Sequence, residues 1–287
     1  MEKEKILVFE PHPDDVAFQI AGSIAKWIAD GKEIMICTVT NGNNSTFDPK
    51  VSAVEIEKIM HEEHLVAMKT LGIQPDHLIQ WHYDDLNLDP GRDRIPLLRD
   101  MVGLIRKFKP MTVITMDPKN MENEENGDHR LVAMTGFEAA AQAAYPNVFP
   151  EQLKNDKLNQ HFVSRLLFYM TPEPNAFVDI SGDPIELKIK IGTIYTSQLE
   201  LMTTEINQRL KTMGLTPDLT DIPLEELWKT VCESNAEEMA QMAKSYFNVH
   251  VELAPHIPLL MAEGFRIYYL GVVEKLSGYL PKEWQSL

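Results

Sequence analysis

The stretch ILVFEPHPDDVAF, residues 6–18, decides the reading of this 287-residue chain. Four apolar residues in a row, Ile6 to Phe9, have the composition of a strand buried on both faces. They run into Glu10, then His12 between Pro11 and Pro13, then the adjacent acids Asp14 and Asp15. A buried strand that ends by pressing two like charges together needs a physical reason. A divalent cation at the strand end supplies one, because it offsets the repulsion between the acids. On that reading His12 and one carboxylate bind the cation, and the other carboxylate faces a metal-bound water. Pro11 and Pro13 restrict the backbone on either side of His12 and lower the cost of ordering a ligand. The bland alternative is a helix N-cap beside a solvated acid. The pentapeptide alone does not choose between them.

Outward from this stretch, apolar runs alternate with helical periodicity. EIMICTVT (33–40), HLIQWHY (77–83) and MTVITMD (111–117) read as further strands. AFQIAGSIAKWIADG (17–31), SAVEIEKIMHEEHLVAMKTLG (52–72) and IPLLRDMVGLIRKFK (95–109) read as the helices between them. Such alternation predicts an α/β fold: a Rossmann-like, mostly parallel sheet flanked by helices. The second half is less regular. It reads as a helix over 129–145, a strand over 165–171, one long helical pattern over 185–214, more helix near 223–247 and a returning strand at 265–273. A single domain over 1–287, with a helical C-terminal elaboration at approximately 183–262, is the simplest organisation.

The balance of 43 acidic against 27 basic residues gives a formal charge of −16, which argues against nucleic acid or an anionic membrane as partner. No run reaches the ~18 apolar residues of a membrane span. The opening MEKEKILVFE lacks the long apolar stretch of a signal peptide, so a cytoplasmic protein is expected. Two distant cysteines, Cys37 and Cys232, make neither a disulfide framework nor a zinc ribbon. Leu199, Met202, Ile206, Leu210 and Met213 fall at helical spacing. They read either as a homo-oligomer contact or as an ordinary intramolecular stripe.

Ligands of an open parallel sheet bind outside the carboxyl ends of its strands. Each of those ends is polar here. The second strand leads into TNGNN (40–44), the third into Asp84 and Asp85, and the fourth through Asp117 into KNMENEENGD (119–128). Asn41 and Asp85 are therefore the substrate-binding candidates, and the loop Lys119–Asp128 is a candidate lid. His129, just past that loop, is the best-placed third metal ligand. It would complete three protein ligands plus an open position, the pattern of catalytic zinc. His61 and His64, inside the charged run HEEH, read as a solvated helix face, and His82 lies near a strand end.

These residues resemble the PIG-L/LmbE-like N-acetylglucosaminyl deacetylases. PHPDD after a first strand is similar to that family's signature. So, in order, are AGSIAKWIADGKEIMICTVTNG, EEHLVAMKTLGI, GDHRLV, FVDIS with the later Ser197-Gln198, and AEGFRI, which together reach from the first strand to Ile267. The resemblance implies a Rossmann-like fold with His12, Asp15 and His129 as ligands of Zn2+ or another divalent cation. It implies Asp14 as the general base that activates a metal-bound water. The reaction implied is removal of the N-acetyl group from a GlcNAc-type amino sugar or glycoconjugate. Four positions depart from the pattern: Val16 replaces a glutamate, Asn126 the first histidine of His-x-Asp-His, Tyr195 the histidine before Ser-Gln, and Met60 an arginine. Asn126 can donate a hydrogen bond but cannot act as an acid, which also bears on the orienting role of Asp128. Tyr195 could donate to an oxyanion. Two further readings stand beside deacetylation: a metal hydrolase of another amide or ester, and a noncatalytic sugar-binding member of the fold. A nucleotide-binding Rossmann protein is discounted, since PHPDDVAF holds no glycine.

Overall fold

The computed structural model describes residues 3–120, 122–215, 219, 221–250, 253, 255 and 259–279. Parts of the expected C-terminal elaboration (216–218, 220, 251, 252, 254 and 256–258) lie outside the described residues. Seven strands form a sheet in the order β3-β2-β1-β4-β5-β7-β6. They are β1 (Lys5–Glu10), β2 (Glu33–Thr40), β3 (Leu78–Tyr83), β4 (Thr112–Met116), β5 (Arg165–Tyr169), β6 (Ala176–Asp179) and β7 (Ala262–Tyr269). The pairs among β1 to β5 are parallel, with Val8 opposite Ile36 on one side and Ile114 on the other. β7 runs antiparallel to both β5 and β6, so the sheet is mostly parallel. This is the expected α/β architecture.

Alternation along β1 divides the core. Ile6 and Val8 face one side of the sheet and Leu7 and Phe9 the other, and all four are buried. The first side is covered by α1 (Asp15–Gln19), α2 (Ala21–Ala29), α3 (Ala53–Leu71), and later by α7 (Asp183–Gly192), α8 (Thr196–Thr212) and α9 (Leu224–Val249). The second is covered by α4 (Arg94–Phe108) and α5 (Gly127–Gln142), with the short α6 (Pro150–Lys154) beyond them.

Two expected helices are each broken in two. The 17–31 pattern splits at Ile20, which leaves helical geometry (φ −134°, ψ 14°). The break lets the amides of Gly22 and Ser23 donate to the Glu263 carboxylate at 3.1 and 2.7 Å, satisfying the start of α2. Lys188 closes this buried group, its Nζ 2.7 Å from Glu263 and 2.8 Å from the Gln19 carbonyl. The 185–214 pattern breaks before Tyr195, and Glu63 accepts the Ser197 amide at the start of α8. Along α8 the apolar stripe divides: Leu199 is buried in the core, whereas Ile206 and Met213 are exposed.

β1 lies between β2 and β4, so the chain leaves it in one direction and returns on the other side. That switch point opens a crevice at the carboxyl end of β1. At the end of β4, Asp117 is held by two residues: bidentately by Arg266 of β7 at 2.7 and 2.6 Å, and by the Thr171 hydroxyl, just past β5, at 2.6 Å. Among the described residues no helix is long and apolar enough to cross a membrane.

Candidate metal centre and active site

The turn after β1 is fixed by its own backbone bonds. The Pro11 carbonyl accepts from both the amide and the hydroxyl of Thr40, each at 2.9 Å. The His12 amide donates to Asp15 Oδ2 at 2.8 Å, and the Val16 amide donates to Glu10 Oε2 at 2.9 Å. The adjacent acids consequently diverge. Asp15 opens α1 and is buried against His12, while Asp14 is only half-buried beside it.

His12, Asp15 and His129 meet at one point. His12 Nδ1 lies 3.0 Å from His129 Nε2 and 3.3 Å from Asp15 Oδ2, and His129 Nε2 lies 3.5 Å from Asp15 Oδ1. Bonds of about 2.0–2.1 Å to a tetrahedral zinc ion would set ligand atoms roughly 3.3 Å apart, so these separations fit such an ion. The outer nitrogens agree with that fit. His12 Nε2 is 3.1 Å from Asp85 Oδ1 and 3.4 Å from Asp128 Oδ2, and His129 Nδ1 is 3.3 Å from Glu124 Oε1. A carboxylate hydrogen-bonded to the far nitrogen fixes a metal-binding imidazole in the tautomer that points its lone pair inward; here the carboxylates stand within 3.4 Å of both far nitrogens, which make no aligned hydrogen bond to them.

Electrostatics report the same crowding. Burial alone would lower the His12 imidazole, but Asp128, Asp15 and Asp85 outweigh it and hold the group well above its usual value. Burial would raise Asp15, yet His129 and His12 hold it below the ordinary carboxylate range. Asp14 goes the other way, pushed up to about 7 by burial and by the neighbouring Asp15 charge. Two adjacent carboxyls are thus separated in proton affinity by their surroundings, one suited to hold a cation and the other to accept a proton.

The expected residues fall into different places. Asp128 sits in the first turn of α5, where its carboxylate accepts the amides of Leu86 and Leu88 at 2.7 and 3.1 Å while reaching His12. Asn126 caps α5, its Oδ1 accepting the Asp128 amide at 2.9 Å. Asn41 stands just past β2 beside a cavity of ≈ 330 Å³ lined also by Glu57, His61, Trp81 and His82, and by none of His12, Asp14, Asp15 and His129. Asp85, expected to bind substrate, is buried with Oδ1 3.1 Å from His12 Nε2 and Oδ2 bound by the Ser45 hydroxyl at 3.1 Å. Tyr195 is fully buried, and its hydroxyl donates to the Pro13 carbonyl at 2.6 Å, which leaves no open path to an oxyanion. His64, read as part of a solvated face, is completely buried against Thr38 and Tyr195. His82 is exposed and sits near Glu57 rather than at the centre.

Sequence reasoning missed Glu124 and Glu10. Glu124 is one acid among several in ENEENGD, with nothing local to single it out. Glu10 did carry a signal, as a carboxyl at the end of an uninterrupted apolar strand. It is fully buried and pushed up to about 8 by that burial, against the opposing hydroxyl of Thr38.

Comparison with known proteins joins this geometry to a family. A family model described as GlcNAc-PI de-N-acetylase, PIG-L, matches residues 7–140. A diacetylchitobiose deacetylase of Thermococcus kodakarensis is 33% identical over 68% of this chain and 70% of its own length. A 1D-myo-inositol 2-acetamido-2-deoxy-alpha-D-glucopyranoside deacetylase of Rhodococcus jostii is 27% identical over 51% of this chain, which spans 58% of that relative. The structure of an N,N'-diacetylchitobiose deacetylase from Pyrococcus horikoshii, complexed with an inhibitor, superposes with a TM-score of 0.73 at 26% identity, over 93% of this chain and 85% of that one. The order of landmarks, the sheet and the sequence matches agree: this chain belongs to the PIG-L family of deacetylases, which are hydrolases.

Proposed function

We propose that this protein is a zinc-dependent N-deacetylase that frees the amine of a GlcNAc-type amino sugar or glycoconjugate, releasing acetate. The observation that carries the reading is the inward-facing set of His12, Asp15 and His129 with Asp14 beside it and outside it. A divalent cation held by those three residues would supply Lewis acidity, polarising the amide carbonyl and acidifying water. Zinc fits best, given two imidazoles and one carboxylate at tetrahedral spacing.

The protein's own groups divide the remaining work. Asp14 accepts a proton from water as its oxygen adds to the amide carbon, then returns that proton to the nitrogen as the C–N bond breaks. Asp85 and Asp128 are placed to accept from His12 Nε2, and Glu124 from His129 Nδ1. The Asn126 side chain already accepts the Asp128 amide through its oxygen, so its NH₂ group is the part left to donate to a developing oxyanion. Asn41, just past the end of β2, is assigned to sugar hydroxyls. The relatives' named substrates, diacetylchitobiose and a 2-acetamido-2-deoxy-glucopyranoside, support this substrate class.

The deciding experiment measures acetate released from N-acetylglucosamine and diacetylchitobiose by zinc-reconstituted protein, with bound metal determined alongside. About one zinc per chain with acetate release is expected. Bound zinc without acetate from either sugar would shift the reading to a hydrolase of another amide or ester. Absence of both would leave a sugar-binding member of the fold.

A further inference from the structure

Beneath the turn that carries the site, five groups from separate parts of the chain line up in a single file. Glu10 ends β1, Thr38 lies in β2, His64 in α3 and Tyr195 at the start of α8, and all four are completely buried. Glu10 Oε1 is 2.6 Å from Thr38 Oγ1, and Thr38 Oγ1 is 3.0 Å from His64 Nε2. His64 Nδ1 is 2.9 Å from the Tyr195 hydroxyl, which is 2.6 Å from the Pro13 carbonyl.

Donor counting fixes the direction of the last two links. A proline carbonyl only accepts, so Tyr195 must donate to it. The tyrosine oxygen can then only accept from His64, which requires a proton on Nδ1. At the other end, either Glu10 keeps a proton and Thr38 donates to Nε2, or Nε2 carries the proton and Thr38 donates to Glu10. Both arrangements leave the His64–Tyr195–Pro13 links unchanged.

The geometry points to His64 and Tyr195 as positioning residues that lock the Pro13 carbonyl, and through it the directions of Asp14 and the His12–Asp15 ligand pair. Thr40 holds the Pro11 carbonyl and Glu10 holds the Val16 amide, so the six-residue stretch from Pro11 to Val16 is gripped at its start, middle and end. The middle grip is the only one of these made by a segment as distant as α8. Without the tyrosine hydroxyl, a buried carbonyl and a buried imidazole N–H lose their partners together, and the peptide plane before Asp14 is free to turn. This inference rests on the assignment of Asp14 as base and of His12 and Asp15 as ligands.

The test uses the full chain, with Tyr195→Phe, His64→Leu, their combination, and His64→Asn, whose amide nitrogen can stand where Nδ1 stood. Zinc affinity is read by competition with a chromogenic chelator, and kcat and KM are read at saturating zinc. Tyr195→Phe and His64→Leu should each weaken zinc binding about 10-fold and lower kcat about 10- to 100-fold, with KM nearly unchanged. The combination should lose no more than the worse single variant, because both act through one carbonyl. His64→Asn should recover most of the loss. Retention of zinc affinity and kcat within about twofold in Tyr195→Phe, or losses that multiply in the combination, would overturn the proposal. Should Tyr195→Phe not fold, the contrast between His64→Leu and His64→Asn decides alone. A wild type that binds zinc but deacetylates no sugar defeats the proposed function, while zinc affinity still reports on the lock.

Discussion

Behind α2, Lys188 and Glu263 form a buried ion pair that closes on itself. The ammonium meets a carboxylate and the Gln19 carbonyl, and the carboxylate meets the amides of Gly22 and Ser23 as well. At the end of β1 the arrangement is the reverse. Asp14, Asp15, Asp85, Asp128 and Glu124 surround two imidazoles whose inward nitrogens face each other at 3.0 Å. The first cluster balances its charges and fills its acceptors, so it needs nothing from outside. The second holds more negative charge than its own cations can offset, and its two nitrogens aim at a common point. A balanced buried charge set is architecture; an unbalanced one with convergent donors is a site for a cation.

The sharpest break in that comparison comes from Asp14→Asn. Zinc content should stay at the wild-type level while kcat falls about 10²- to 10⁴-fold, the range for loss of a general base. Elemental analysis and acetate release on one preparation check both halves. Removing one partner from the balanced cluster should have the opposite character. Lys188→Met leaves Glu263 buried without its cation and should cost about 3–5 kcal/mol, read from the urea midpoint, with zinc binding retained. Loss of zinc affinity in that variant would show that the two clusters are not independent.

Metal removal tests the unbalanced cluster directly. With free zinc at 100 times its dissociation constant, the wild type should gain about 2.7 kcal/mol over the chelated form. His129→Ala should show no such zinc-dependent gain in thermal unfolding. The smallest effect is a slope with pH. Burial holds the His64 imidazole down at about 3, whereas an unfolded chain protonates it near its ordinary value of 6.5. Between those values the unfolded state binds the extra proton, so falling pH favours unfolding through this group. The stability contribution is whole above 6.5 and lost progressively toward 3. Relative to His64→Asn, the wild type should lose up to about 1.4 kcal/mol more per pH unit across that window, measured by denaturant titration.

Much of this was legible in order along the chain. Strand runs such as Ile6 to Phe9 and Ile34 to Cys37 are fully apolar because both faces of the sheet are covered, and that pattern survives without any alignment. The residues proposed as metal ligands were legible because two lie within four positions of each other and the third follows a polar loop at a strand end. What stayed hidden depends on contacts between distant segments. Ile20 ends a helix for the sake of Glu263, some 240 positions away. HEEH gives no sign that its last histidine meets Tyr195, because the helical face it occupies is decided by how α8 packs. Asp85 looked like a substrate residue by its place after β3, and only the fold shows its carboxylate 3.1 Å from His12 Nε2. Charge type and strand-end position can be read locally, but the direction a side chain faces cannot.

The three hydrogen bonds on the Asp117 carboxylate fix one end of the segment that delivers His129. Arg266 and Thr171 fasten the exit of β4, and the capped first turn of α5 fastens the entry to His129. Between those two posts Lys119 adds a further tie, its amide 2.9 Å from Asp117 Oδ1 and its ammonium 2.8 Å from Glu173. His129 is therefore presented by a segment anchored at both ends, which lowers the ordering cost of binding there.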